Sequence, residues 1–147
     1  MGVSESLKRG SVELLILELL QKEDMYGYQL SQEIKERSGG FYTIQESSMY
    51  PTLYRMLEKG YISDHKKIVG KRRARVYYHI EQAGIEAHEK AKVNYLTLVY
   101  GVLKILDVNT MEELNKNARE AMIALKQRKA AQLLEEMELE DWDFYFY

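Results

Sequence analysis

Residues 47–62 read "SSMYPTLYRMLEKGYI" and contain Pro51, the only proline of the chain. Met49, Leu53, Met56 and Leu57 recur here with the period of a helix. A proline inside a helix removes a backbone N–H and its ring clashes with the preceding turn. The conflict resolves if Ser47 or Ser48 is the N-cap, so that Pro51 falls in the first turn or just beyond it. Backbone N–H groups there have no intrahelical partner to lose. On that register Met49, Leu53, Met56, Leu57 and Gly60 face a core. Ser47, Ser48, Pro51, Tyr54, Arg55 and Glu58 face outward, with Tyr50 at the edge. Small hydroxyls, aromatic rings and an arginine near a helix N-terminus suit contact with phosphates and base edges.

Two helices are expected before this one. Val12, Leu15, Ile16, Leu19 and Leu20 keep the helical spacing, with Leu14 and Leu17 on the opposite side. A helix apolar on two faces must be covered twice, and a second chain is a natural second cover. In "EDMYGYQLSQEIKERSGG" Asp24 is a candidate N-cap, Tyr26, Leu30 and Ile34 an inner stripe, and Gly39-Gly40 a stop. Gly27 allows another helix to come close. After Gly60 the period changes. "YISDHKKIV" and "RARVYYHI" are rich in β-branched and aromatic residues, Val76, Tyr78 and Ile80 alternate, and "GKRRA" between them is a glycine-bearing turn. Three helices followed by a basic hairpin make a winged helix-turn-helix with a two-stranded β wing, inside a mainly α chain. Its second helix of the pair enters the major groove, and its wing follows the backbone or minor groove.

The rest of the composition narrows the function. The chain has 147 residues, enough for one substantial core. It has no cysteine, which excludes disulfides, thiolate metal sites and cysteine nucleophiles. Glu13 and Glu18 interrupt the apolar N-terminal stretch, so neither a signal peptide nor a membrane span is expected there and the cytoplasm is the default compartment. Residues 1–80 carry 13 Lys/Arg against 10 Asp/Glu, whereas residues 81–147 carry 8 against 13. Lys66, Lys67, Lys71, Arg72, Arg73 and Arg75 lie within ten residues. That sorting predicts a polyanion-binding half and a half with another task. His65, His79 and His88 lack ligand spacing, so no metal and no cofactor are expected. No carboxylate sits in a nucleophile or acid/base motif, so the chain does not read as an enzyme.

In the second half Gly84, His88, Ala91, Tyr95, Leu98, Val102 and Ile105 are spaced by alternating fours and threes, a heptad seam. Three heptads need help from other helices, and the two-faced first helix is the candidate. "TMEE", Thr110–Glu113, is a capping box that opens a further helix carrying Leu114, Ala118, Ala121, Met122 and Leu125, up to about Leu134. The resulting division is a DNA-binding domain over 1–81, a helical dimerisation region over 82–140, and an acidic, aromatic tail over 141–147. The dimer interface is expected at His88, Ala91, Tyr95, Leu98, Val102 and Ile105. A small-molecule effector site is expected between subunits, lined by Leu15, Leu19, Tyr95, Val99 and Val102; its competitor is a filled interface.

Three blocks also resemble the PadR family of bacterial transcriptional regulators. They are "MYGYQLSQEI" (25–34), "SSMYPTLYRMLEKGYI" (47–62) and "GKRRARVYYHIEQAG" (70–84), in the family's order and at its spacing. The likeness spans roughly residues 8–106. Ser47-Ser48 stand where the family usually has a glycine before its recognition helix, a departure that bears on base preference, and "HIEQAG" replaces the commoner "LTxxG". The resemblance implies a homodimeric repressor, often of transporter or stress genes, that binds double-stranded DNA at a pseudo-palindromic operator and is relieved by small planar molecules. The expected DNA contacts are Ser47, Ser48, Tyr50, Pro51, Tyr54 and Arg55 on the helix, and Lys71, Arg72, Arg73 and Arg75 on the wing. The alternative is a winged-helix protein-interaction module without DNA binding, because a fold alone does not fix function.

Overall fold

The computed structural model of the chain describes residues 5–146. Its elements, in order, are α1 (Glu5–Lys8), α2 (Val12–Leu20), β1 (Met25–Tyr26), α3 (Gly27–Arg37), α4 (Glu46–Glu58), β2 (Ile62–Val69), β3 (Arg73–Ile80), α5 (Gln82–Ile105) and α6 (Met111–Phe146). The chain divides into two compact units, residues 1–101 and 102–147.

The first unit is a winged helix. Helices α2, α3 and α4 enclose a core with one face of a small antiparallel sheet. Ile16, Leu17, Met25, Leu30, Met49, Leu53 and Met56 are its fully buried side chains. The strand order is β1-β3-β2, so the expected two-stranded wing gains a short third strand. That strand corrects the reading of residues 24–26. Tyr26 has extended backbone and stands as the N-cap of α3, which begins at Gly27. Met25 and Tyr26 pair instead with Tyr78 and Tyr77 of β3. Asp24 therefore caps nothing; it hydrogen-bonds His79 across the sheet. Tyr26 lies on the outer sheet face rather than in the inner stripe of α3, where Leu30 and Ile34 are buried.

The α3 stop falls where expected. Gly39 and Gly40 take positive φ, and the Gly40 N–H reaches back to the Lys35 carbonyl at 2.8 Å, satisfying a terminal carbonyl. Gly60 ends α4 in the same way: its φ is positive, and the next N–H, of Tyr61, bonds the Met56 carbonyl at 3.0 Å. It is exposed, a helix terminator rather than a core-facing residue.

Helix α4 starts two residues earlier than an N-cap at Ser47 would set it, and three earlier than one at Ser48. Gln45 is the N-cap, with extended backbone and no side-chain cap bond. Ser47 and Ser48 lie in the first turn, and Pro51 is in the second. Its missing N–H costs the Ser47 carbonyl a partner, and both residues are on the exposed side, where water can replace that bond.

In α2 both apolar faces are already covered within the chain: Leu14 is buried and Leu17 is 0% exposed. Among its apolar residues only Leu15 stays partly open. Gly84 and His88 are also buried in their own chain. A Cβ on Gly84 would stand 2.2 Å from the Tyr61 carbonyl oxygen, and His88 Nε2 meets the Glu18 carboxylate on α2.

In the second unit Thr110 opens α6. Its Oγ1 accepts the Glu113 N–H at 3.1 Å, and the Glu113 carboxylate accepts the Asn109 N–H at 2.8 Å. The helix runs on past Leu134, and its backbone continues through Phe146. The side chains of the segment called the acidic, aromatic tail, and Tyr147 altogether, lie outside the described residues.

Candidate nucleic-acid interface

The outward face of α4 forms as its sequence period requires. Met49, Thr52, Leu53 and Met56 are buried, which turns Ser47, Ser48, Tyr50, Pro51, Tyr54 and Arg55 to solvent. Tyr54 is 69% exposed, an unusual position for an aromatic ring with nothing to cover it. Arg55 is tethered one turn back, its Nη2 donating to Thr52 Oγ1 at 3.1 Å. Tyr50 is committed differently: its hydroxyl donates to Glu46 Oε1 at 2.6 Å. That bond to a carboxylate, followed by burial, pushes the phenol up to about 12.

The wing divides its cations into two sets. Val69 pairs with Arg73, so the turn consists of Gly70, Lys71 and Arg72, with Gly70 at positive φ. Lys71 and Arg72 occupy the tip, whereas Arg73 is the first residue of β3 and not part of the turn. Nearer the base, Lys67 and Arg75 face each other across the ladder. Two like charges opposite one another are unfavourable, and aromatic rings offset this. The Arg75 guanidinium lies 4.4 Å from the Tyr26 ring centroid, and Lys67 Nζ lies 4.6 Å from that of Tyr77. The rings are themselves joined, Tyr26 edge-on to Tyr77 at 5.4 Å and His65 stacked on Tyr77 at 5.9 Å.

Asp24 completes this outer face. His79 Nδ1 lies 2.7 Å from one of its carboxylate oxygens, and His65 Nε2 lies 3.7 Å from the other. The hydrogen bond to Asp24 raises the His79 pKa. Residues as far apart as 24, 65 and 79 meet because β1 pairs with β3, a strand too short to read from its two residues. Among the described residues no group of three or more His, Cys, Asp or Glu side chains is placed to hold a metal ion, and no helix is long and apolar enough to cross a membrane.

Two of the predicted effector residues share a groove within the chain. Leu15 and Leu19 line a groove of about 310 Å³ with Glu18, Ile34, Arg37, Ser38 and Tyr42. Tyr95, Val99 and Val102 are not among its lining residues. Of the heptad seam, His88 is buried and Ala91 partly so, whereas Tyr95, Leu98, Val102 and Ile105 are exposed. Sequence reasoning missed Glu46, whose pairing with Tyr50 one turn later was legible as an i, i+4 spacing.

Residues 16–90, just over half of the chain, match the Transcriptional regulator PadR-like family. The Negative transcriptional regulator PadR of Bacillus subtilis is 30% identical over 69 residues, which are 47% of this chain and 38% of that protein. A PadR-like transcriptional regulator from Bacillus cereus superposes with a TM-score of 0.59 at 30% identity, covering 69% of this chain and 97% of that one. The fold is also that of Bacillus subtilis PadR in complex with operator DNA, with a TM-score of 0.54 at 19% identity over 80% of this chain and 71% of the other. The wing, the exposed helix face and this match converge: the chain belongs to the PadR-like family of transcriptional regulators, and not to a class of enzymes.

Proposed function

We propose that this regulator is a homodimeric repressor acting in the cytoplasm on a pseudo-palindromic operator in double-stranded DNA. Helix α4 lies in the major groove with Ser47, Ser48, Tyr50, Pro51, Tyr54 and Arg55 toward the bases and flanking phosphates. Lys71, Arg72 and Arg73 follow the backbone or enter a minor groove, and Arg75 braces the wing from its base. The observation that carries this reading is the solvent-facing set of hydroxyls, rings and arginine on α4 in a unit that also carries a cationic hairpin tip. Polar groups and cations displayed together in that way match the division of labour between base contacts and phosphate contacts. A relative named as a negative regulator, and a like-folded protein bound to operator DNA, support repression and operator binding here.

The dimer is supported by α5, whose Tyr95, Leu98, Val102 and Ile105 repeat as a heptad and stand exposed in the single chain. Two-fold symmetry would place the recognition helices on half-sites about 34 Å apart. An apolar or planar effector releases the operator by favouring a dimer geometry with the wrong half-site spacing, which requires differential affinity for the two states. The groove beside Leu15 and Leu19 is the natural first place for it, with Tyr95, Val99 and Val102 as the α5 candidates.

A gel-shift titration against the DNA upstream of the protein's own gene tests the core of the reading. The expected outcome is a discrete complex that outcompetes random duplex by a thousandfold or more. Equal affinity for both duplexes would favour the protein-interaction module instead.

A further inference from the structure

We infer that Glu46, with Tyr50 held against it, is a specificity-determining residue of the recognition helix that reads an exocyclic amino group in the major groove, cytosine N4 or adenine N6. The inference rests on the DNA-binding role proposed above.

Three residues from two helices build this feature. Tyr50 Oη donates to Glu46 Oε1 at 2.6 Å across one turn of α4. Gly27, the first residue of α3, lies against both. A Cβ there would stand 3.1 Å from Glu46 Oε1 and 3.2 Å from Tyr50 Oη. Gly27 is not among the residues at positive φ, so its backbone does not require glycine; the missing side chain supplies room for the acid–phenol pair. The carboxylate lies in the first turn of α4 and beside the first residue of α3. Both helix starts favour negative charge, so the site holds an anion of the protein's own.

The hydrogen-bond inventory then decides what can approach. A carboxylate offers acceptors only, and the one proton of Tyr50 is already given to it. The phenol keeps that proton, its pKa standing at about 12. The pair therefore presents oxygen lone pairs and no donor. A DNA phosphate presents the same and would meet a like charge. Guanine N7 and O6 and thymine O4 are acceptors as well, whereas cytosine N4 and adenine N6 donate into the major groove. Carboxylate to cytosine N4 is a known base pairing of this kind. Ser47 and Ser48, exposed beside Glu46, can donate or accept and so do not force the same choice.

The test selects binding sites for the full chain from a randomised duplex library at fixed salt, using wild type, Glu46→Ala and Tyr50→Phe. Wild type should prefer one base pair at one position of each half-site; a G·C pair there assigns cytosine N4 as the group read and an A·T pair adenine N6. Glu46→Ala should lose that preference by roughly 5- to 150-fold while the other positions keep theirs. Tyr50→Phe, which leaves the carboxylate but frees it to turn, should show a smaller loss at the same position. Melting curves matching wild type confirm that both surface variants are folded. The inference is overturned if Glu46→Ala tightens every duplex equally with an unchanged site, since Glu46 would then merely repel DNA. It is equally overturned if Glu46→Ala leaves the preference at every position of the selected site unchanged. If wild type enriches no sequence, the DNA-binding role itself fails, and this reading falls with it.

Discussion

The two ends of helix α5 differ in what surrounds them. Its first turns belong to the winged helix: Gly84 is packed against the Tyr61 backbone, and His88 is buried beside Glu18. From Val93 onward the same helix leaves apolar side chains open, Leu98 at 63% and Ile105 at 88%. The winged helix closes its own core around Ile16, Leu17, Met25, Leu30 and Leu53. The outer part of α5 closes nothing by itself. Isolated exposed apolar residues are ordinary, but a heptad-spaced series of them is the pattern on which the proposed dimer rests. The seam is one pattern in sequence whose first part anchors α5 to the winged helix and whose outer part is exposed.

The largest effects should come from breaking the anchored end. A Cβ at position 84 meets backbone rather than a flexible side chain, so neither partner can move aside cheaply. Gly84→Ala should destabilise the winged helix by about 3 kcal/mol, and Leu17→Ala by about 2–5 kcal/mol. Chemical denaturation would measure both. A loss under about 1 kcal/mol for Gly84→Ala would mean that the α5 junction is loose, and the contrast with the outer half would collapse.

Substitutions in the outer half should act on association instead. Leu98→Glu should leave the circular dichroism spectrum of the winged helix unchanged. It should weaken self-association by roughly 30- to 150-fold, corresponding to about 2–3 kcal/mol for a buried leucine. Sedimentation over a concentration series reads this directly. An unchanged dimer, or a wild type that is monomeric where it still binds DNA, would remove α5 as the interface.

The next contrast lies within the DNA-binding surface. Replacing Arg72 and Arg73 together by alanine should weaken operator and random DNA alike and reduce the log–log salt slope by roughly 0.9 per lost phosphate contact. Ser48→Ala or Tyr54→Phe should cost about 1–3 kcal/mol on operator DNA with little change on random duplex, if those groups reach base edges. Wing variants that alter base preference at constant salt slope would reverse the two roles.

How far the sequence disclosed all this depends on whether the signal was local. Met49, Leu53 and Met56 of the α4 core stripe, the Gly39-Gly40 stop and the Thr110 cap are periodicities and end signals written within a few residues, and the structure has each in place. Tyr26 and Asp24 were misplaced because what holds them is β3, more than fifty residues away, and a two-residue strand carries no period of its own. Serine's preference for the N-cap points to Ser47 or Ser48 before Pro51, whereas the helix begins at Glu46 with Gln45 as its N-cap. The Glu46–Tyr50 pair is legible as an i, i+4 spacing, whereas Gly27 making room for it from another helix is not.

The smallest expected effect concerns the surface of the tightly packed unit. Asp24 joins His79 at 2.7 Å and His65 at 3.7 Å on the outer sheet face. Its carboxylate raises the His79 pKa, chiefly through the hydrogen bond. The unfolded chain releases that proton near the ordinary histidine value of about 6.5, and the folded chain holds it to higher pH. The stabilising contribution is therefore fully present below about pH 6.5 and fades as pH rises through the raised folded value. Exposure to solvent keeps it small. An NMR titration should place the His79 midpoint above the ordinary value, and Asp24→Asn should bring it down while flattening the fall of stability with rising pH. A His79 midpoint that Asp24→Asn leaves unmoved would mean that the strand β1 contact is not held by this pair. The pairing of β1 with β3 would then rest on its backbone bonds and on the Tyr26–Tyr77 and Tyr26–Arg75 ring contacts alone.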